Sequence, residues 1–161
     1  MTDAEIGFPE TTSDERDLVL RWLRYLRGAV MRKAEGVSDA DARWRPDGRL
    51  ISLLGIVTHL TNVEWRWVEG GVLGRPVSRA EEEFEPGPDR SIEAALGAYR
   101  DRQAQTDAIV SAVPSLAEPC RGWDGEGKDL RWVLLHLINE TARHAGHADA
   151  VRELLDGVTG E

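Results

Sequence analysis

The sequence is short of several things, and each shortage excludes a class of protein. It has a single cysteine, Cys120, so no disulfide can form within the chain and a reducing cytoplasm is the expected location. It has no apolar run near the roughly 18 residues that a membrane helix requires. Its opening stretch, MTDAEIGFPETTSDERD, is acidic and lacks the apolar segment of a secretory leader. Positive charge is scarce too: 20 Lys and Arg against 29 Asp and Glu leave a net charge of −9. That is the wrong sign for displacing counterions from nucleic acid or for docking on anionic lipid. No partner of either kind is expected. Nor is there a stretch of alternating apolar and polar residues that reads as a strand, an internal repeat, or a low-complexity tract.

What is present is helical. The 161 residues are 41% hydrophobic, enough for one domain with its own core. A first helix is predicted over residues 14–34, started by Ser13 or Asp14 as N-cap and stopped by Gly36. Val19, Trp22, Leu23, Leu26 and Val30 recur at steps of three and four and form its inward stripe. One short helical turn is expected over 38–42, and Arg45-Pro46-Asp47-Gly48 reads as a loop. A second helix follows Ser52 to about residue 69, with Leu53, Ile56, Leu60, Val63 and Trp67 inward and Gly70-Gly71 as its stop. Residues 74–90 form a long linker containing the run Glu81-Glu82-Glu83. Ser91 caps a third helix that Pro114 ends. After a Gly- and Pro-rich loop, a fourth helix spans residues 129–156, with Gly157 behind it. The expected fold is an all-α, single-domain four-helix bundle over residues 13–157, with long crossover loops and a loosely ordered arm over 1–12.

Polar residues stand where this core needs apolar ones. On the fourth helix Val133, Leu137, Glu140, His144, Ala148, Val151 and Leu155 share one face. A carboxylate in the middle of that stripe is costly unless it is paired or bound to a metal. The i, i+4 spacing of Glu140 and His144 puts both side chains within reach of one ion. His59 lies between Ile56 and Val63 at the edge of the second helix's stripe. Taken singly, His59 reads as a hydrogen-bonded core histidine, and Glu140 with His144 as a buried ion pair. Together on inward faces, the three read as ligands of one divalent metal. Two imidazoles and one carboxylate suit zinc, and also nickel, iron or manganese. His136 and His147 flank the same face and stand as substitute ligands or supporting groups. Cys120 sits in a loop without a histidine partner in sequence and is a poor nucleophile candidate. Arg66 and Arg143 read first as solvated arginines and second as groups that hold an anionic substrate.

These segments resemble a known family. Ile51-Ser52-Leu53-Leu54-Gly55-Ile56-Val57-Thr58-His59-Leu60, preceded by Trp44-Arg45-Pro46, is similar to the second-helix signature of the DinB-like superfamily. Leu135-His136-Leu137-Ile138-Asn139-Glu140-Thr141-Ala142-Arg143-His144-Ala145-Gly146-His147 is similar to its last-helix signature. Many members carry His-x-x-x-His there, followed by x-Gly-Gln. Here Glu140 replaces the first His, and His147 occupies the Gln position. The Glu-x-x-x-His form resembles the mycothiol-dependent maleylpyruvate isomerase branch, whose metal is held by two His and one Glu. The resemblance implies ligand roles for His59, Glu140 and His144, a bundle of unusual crossover order, and a homodimer. It also implies a low-molecular-weight thiol such as mycothiol or bacillithiol as cosubstrate. The expected function is metal-dependent thiol S-transfer to an electrophilic small molecule. Metal-assisted hydrolysis and a non-catalytic, metal-binding stress-response dimer remain as alternatives.

Overall fold

The computed structural model of the chain describes residues 8–159. It is an all-α single domain. Helix α1 spans Glu15–Ala34, the short α2 spans Asp39–Arg43, and α3 spans Leu53–Glu64. The last continues without a break as a π-helical segment, Trp65–Val72. Helix α4 spans Ile92–Ala112 and α5 spans Leu130–Asp156. A single 3-10 turn, Pro46–Gly48, occupies the expected loop. The one β feature among the described residues is an isolated bridge between Pro119 and Asp129.

Local chemistry sets the helix ends. The side chains of Asp14, Ser52, Ser91 and Asp129 each accept a hydrogen bond from the backbone N–H three residues on. Each thereby satisfies one of the free donors of a first turn. At the far end of α5, Gly157 adopts φ 77° and its N–H bonds to the Glu153 carbonyl, a left-handed stop that glycine takes without strain. Helix α1 packs most extensively on α5, and α3 on α4, with α3 and α5 also in contact. Helix α3 therefore pairs with α4, the next long helix in the chain, across the long crossover segment between them, whereas α1 pairs with α5, the last helix of the chain.

The core is divided. One apolar cluster holds Val30, Met31, Leu53, Leu60, Ile92, Tyr99, Ala148 and Val151. The other holds Leu20, Leu23, Val63, Val68, Val110, Leu130, Val133 and Leu137. Three long helices pass from one cluster to the other through a polar stretch, Arg27 on α1, Arg102 and Thr106 on α4, and Thr141 and His144 on α5, and α3 adds Glu64 directly after Val63, all of these polar residues buried. The strongest link in this polar layer joins Arg27 to Glu64. Arg27 Nε and Nη2 donate to the two carboxylate oxygens at 2.7 Å each, and Nη1 reaches Asp107 at 2.8 Å.

Arg27 corrects the expected stripe of α1. The buried face carries Leu20, Leu23, Arg27, Val30, Met31 and Ala34, whereas Trp22 and Leu26 are half-buried. Trp22 turns instead toward Phe8 and Tyr25, with ring centroids 5.6 and 6.0 Å away. Residues 1–7 of the expected arm lie outside the described residues. No helix among the described residues is long and apolar enough to cross a membrane.

Candidate metal centre

The fold brings His59, Glu140 and His144 together. Helix α3 carries His59 among the buried Ile56, Leu60 and Val63, and α5 presents Glu140 and His144 one turn apart. One potential ligand atom from each lies within 4.8 Å of the others. The two imidazole rings are 4.7 Å apart, centroid to centroid. Glu140 Oε2 is 3.5 Å from His59 Nε2 and 3.7 Å from His144 Nε2. These separations are too long for hydrogen bonds and short enough for three donors to converge on a common point.

The three are not equally enclosed. Both histidine side chains are nearly buried, while that of Glu140 keeps 19% of its surface. Glu140 therefore lies at the edge of the core stripe, not at its buried centre as its place in the periodicity predicts, and it marks the open side of the cluster. Burial, followed by the proximity of His59, pushes the His144 imidazole down to about 4 against the pull of Glu140. At neutral pH His144 is thus the neutral base that a metal ligand must be.

The cluster has a support that the sequence did not reveal. Glu83, from the segment between α3 and α4, is 2% exposed. Its carboxylate accepts a short hydrogen bond from His59 Nδ1. The same carboxylate takes a two-pronged ion pair from Arg66, with Nη2 donating to Oε1 at 2.8 Å. Burial alone would raise the Glu83 carboxyl, but the hydrogen bonds from His59 and Arg66 outweigh it and hold the group at about 2. With Nδ1 committed to Glu83, Nε2 is the atom His59 presents to Glu140 and His144. The Phe84 ring stacks on His59 at 4.4 Å. No periodicity marks Glu83, since it belongs to an acidic run in a linker.

Arg66 also departs from expectation: it is 4% exposed, not solvated. The cause is the π-helical segment, where i→i+5 bonding widens the turn and shifts the inward face. The same shift leaves Trp67 half-buried. Arg143 is exposed, as expected.

The other candidates stand beside the cluster. His136 is half-buried, stacks on Trp132 at 5.2 Å and packs on Trp67 at 4.6 Å, and burial lowers its pKa. His147 Nδ1 lies 3.4 Å from His144 Nδ1, so it touches the face of His144 turned away from Glu140. Cys120 is half-buried, and burial followed by Asp129 raises its thiol pKa. This disfavours the thiolate that a nucleophile requires.

A family model described as Mycothiol-S-transferase matches residues 18–157. No curated protein matches the chain.

Proposed function

The chain belongs to the mycothiol S-transferase family, and from that premise we propose that it is a divalent-metal-dependent S-transferase whose ion is held by His59 Nε2, Glu140 and His144. The observation that carries this reading is the donor set itself: two imidazoles and a carboxylate, from two helices, converging within 4.8 Å. The residues fit such an ion on three counts. His59 is anchored through Nδ1, which leaves Nε2 free to coordinate. His144 is neutral at physiological pH. Glu140 supplies the negative charge without hydrogen-bonding to either imidazole. Zinc is the natural choice for this set, with nickel, iron and manganese able to share it. Three protein donors leave room for an exogenous ligand.

When bound, the cation would stabilise the thiolate of an incoming thiol and so lower the pH at which the thiol gives up its proton. The thiol of the proposed reaction is a low-molecular-weight one of the mycothiol type. Its S–H proton passes to solvent, a sulfur–carbon bond forms to the electrophile, and the bond to the leaving group breaks with the electron pair going to that group. The protein's part is positional. Glu83 and Arg66 hold His59 in place, and the partly open Glu140 faces the side from which substrates arrive. One turn before Glu140 on α5, the surface of His136, Trp67 and Trp132 offers incoming molecules an aromatic wall.

The test is turnover by purified, metal-loaded protein given a low-molecular-weight thiol and a chromogenic electrophile. The expected result is thioether formation that a chelator abolishes and added zinc or nickel restores. Consumption of an ester or amide without any thiol would replace this reading with a hydrolase. Tight stoichiometric metal binding without turnover of any substrate would leave a binding protein.

A further inference from the structure

Three observations tie the segment between α3 and α4 to the candidate metal centre. Glu83 reaches in from this segment to His59 Nδ1 and is nearly inaccessible to solvent. Phe84 lies face to face with the same imidazole. The backbone of Phe84 passes so close to α3 that a Cβ on Gly55 would sit 2.3 Å from the Phe84 carbonyl oxygen. Only glycine at position 55 lets the segment lie this near to His59. Arg43 then fastens the following stretch by donating to the carbonyls of Pro86, Gly87 and Arg90, each at 2.7 Å.

We propose that Glu83 is the positioning residue for His59, and that through it the crossover segment and the metal site stabilise each other. The inference rests on the metal-centre reading above and goes beyond it. An imidazole on a helix can rotate about its side-chain bonds and can carry its proton on either nitrogen. A carboxylate on Nδ1 removes both freedoms: it fixes the ring plane and leaves Nε2 with its lone pair toward Glu140 and His144. Arg66 fixes the carboxylate in turn, so the support is a buried hydrogen-bonded chain, Arg66 to Glu83 to His59. Because Glu83 belongs to the crossover segment, any ion that draws on the oriented imidazole also favours the docked segment. The linkage is reciprocal, so displacing the segment must weaken the ion.

The experiment uses the full chain and cobalt(II), whose ligand-field absorption reports the geometry of its ligands. Zinc competition then gives affinities. His144→Ala serves as the control for binding at this site. Glu83→Gln keeps the volume and removes the charge. Gly55→Ala touches no ligand and no charge, yet pushes on the Phe84 carbonyl. Both are expected to weaken metal binding roughly 10- to 100-fold and to alter the cobalt band. In the wild type, zinc is expected to slow hydrogen exchange in peptides covering residues 79–86, and in Glu83→Gln it is expected not to. If Glu83→Gln fails to fold, Arg66→Met combined with it removes the stranded guanidinium, and the same two readouts apply. Wild-type affinity and an unchanged cobalt band in the folded variants would overturn the proposal while the metal centre stands. Unchanged exchange on zinc binding would do the same, since a merely structural glutamate would lower stability alone. If the wild type binds no cobalt, or if His144→Ala binds it equally well, the metal-centre reading fails and this inference falls with it.

Discussion

His59 on α3 and Glu140 on α5 face each other with Nε2 and Oε2 3.5 Å apart. At that separation the two atoms make no hydrogen bond to each other, and they can share an ion. His144, one turn beyond Glu140, completes the set. The first prediction follows from this arrangement. His59→Ala and His144→Ala should each lose most of the bound metal, because two donors make a poor site. Glu140→Gln should weaken binding while keeping the shape of the site. Substituting His136 or His147 should matter much less. Elemental analysis of protein purified without chelator decides the matter, and X-ray absorption should find nitrogen and oxygen donors at roughly 2.0–2.2 Å if the metal is zinc. Stoichiometric metal in the double His59→Ala, His144→Ala variant would sink the assignment.

A second prediction concerns the polar layer. Arg27 and Glu64 are both almost fully buried and bonded twice to each other. Burial opposes the charge on Arg27, but Glu64 more than compensates and holds it protonated. Glu64→Ala should destabilise the protein by about 3 kcal/mol, because it leaves the buried guanidinium with Asp107 as its one carboxylate partner. The double variant Arg27→Met, Glu64→Leu should recover most of that loss, since neither charge then has to be desolvated. Urea midpoints of the three proteins provide the comparison.

Acid should weaken the metal-free protein in two windows. The folded His144 pKa, about 4, lies below its ordinary 6.5. Above pH 6.5 both folded and unfolded chains keep it neutral, so stability is unaffected. Between 6.5 and about 4 the unfolded chain takes up a proton that the fold rejects, and stability falls. Burial shifts His136 the same way and adds to this upper window. The folded Glu83 pKa, about 2, lies below the ordinary 4.5. Its contribution is complete above 4.5 and is lost as pH falls toward 2. Denaturation midpoints measured against pH in chelator should show both losses, and His144→Gln should flatten the upper one. A midpoint that rises on acidification from pH 6.5 to 5 would contradict the sign.

The end of α5 offers a test confined to the backbone. Gly157 sits at φ 77°, where a side chain is strained. Gly157→Ala should therefore cost about 1 kcal/mol while leaving metal affinity unchanged, because the site lies more than three turns back along the helix. Thermal unfolding and a zinc titration on the same sample check both halves.

The sequence by itself determined what depends on neighbours within a few residues. The caps at Asp14, Ser52, Ser91 and Asp129 and the stop at Gly157 are readable because a helix end is a local hydrogen-bonding problem. The pairing of Glu140 with His144 is readable because a helix repeats every 3.6 residues and fixes which side chains share a face. The apolar steps of α3 placed His59 on the inward side of its helix for the same reason. Only the tertiary structure decided the rest. The burial of Arg27 depends on a carboxylate from another helix, Glu64, which makes an arginine tolerable inside the bundle. The inward turn of Arg66 depends on a π-helical widening, which no hydrophobic period foretells. The role of Glu83 depends on a loop crossing close over Gly55, and the path of a loop is set by the surfaces it packs on. That contact also chose which nitrogen of His59 faces Glu140 and His144, since a sequence names an imidazole but does not orient it.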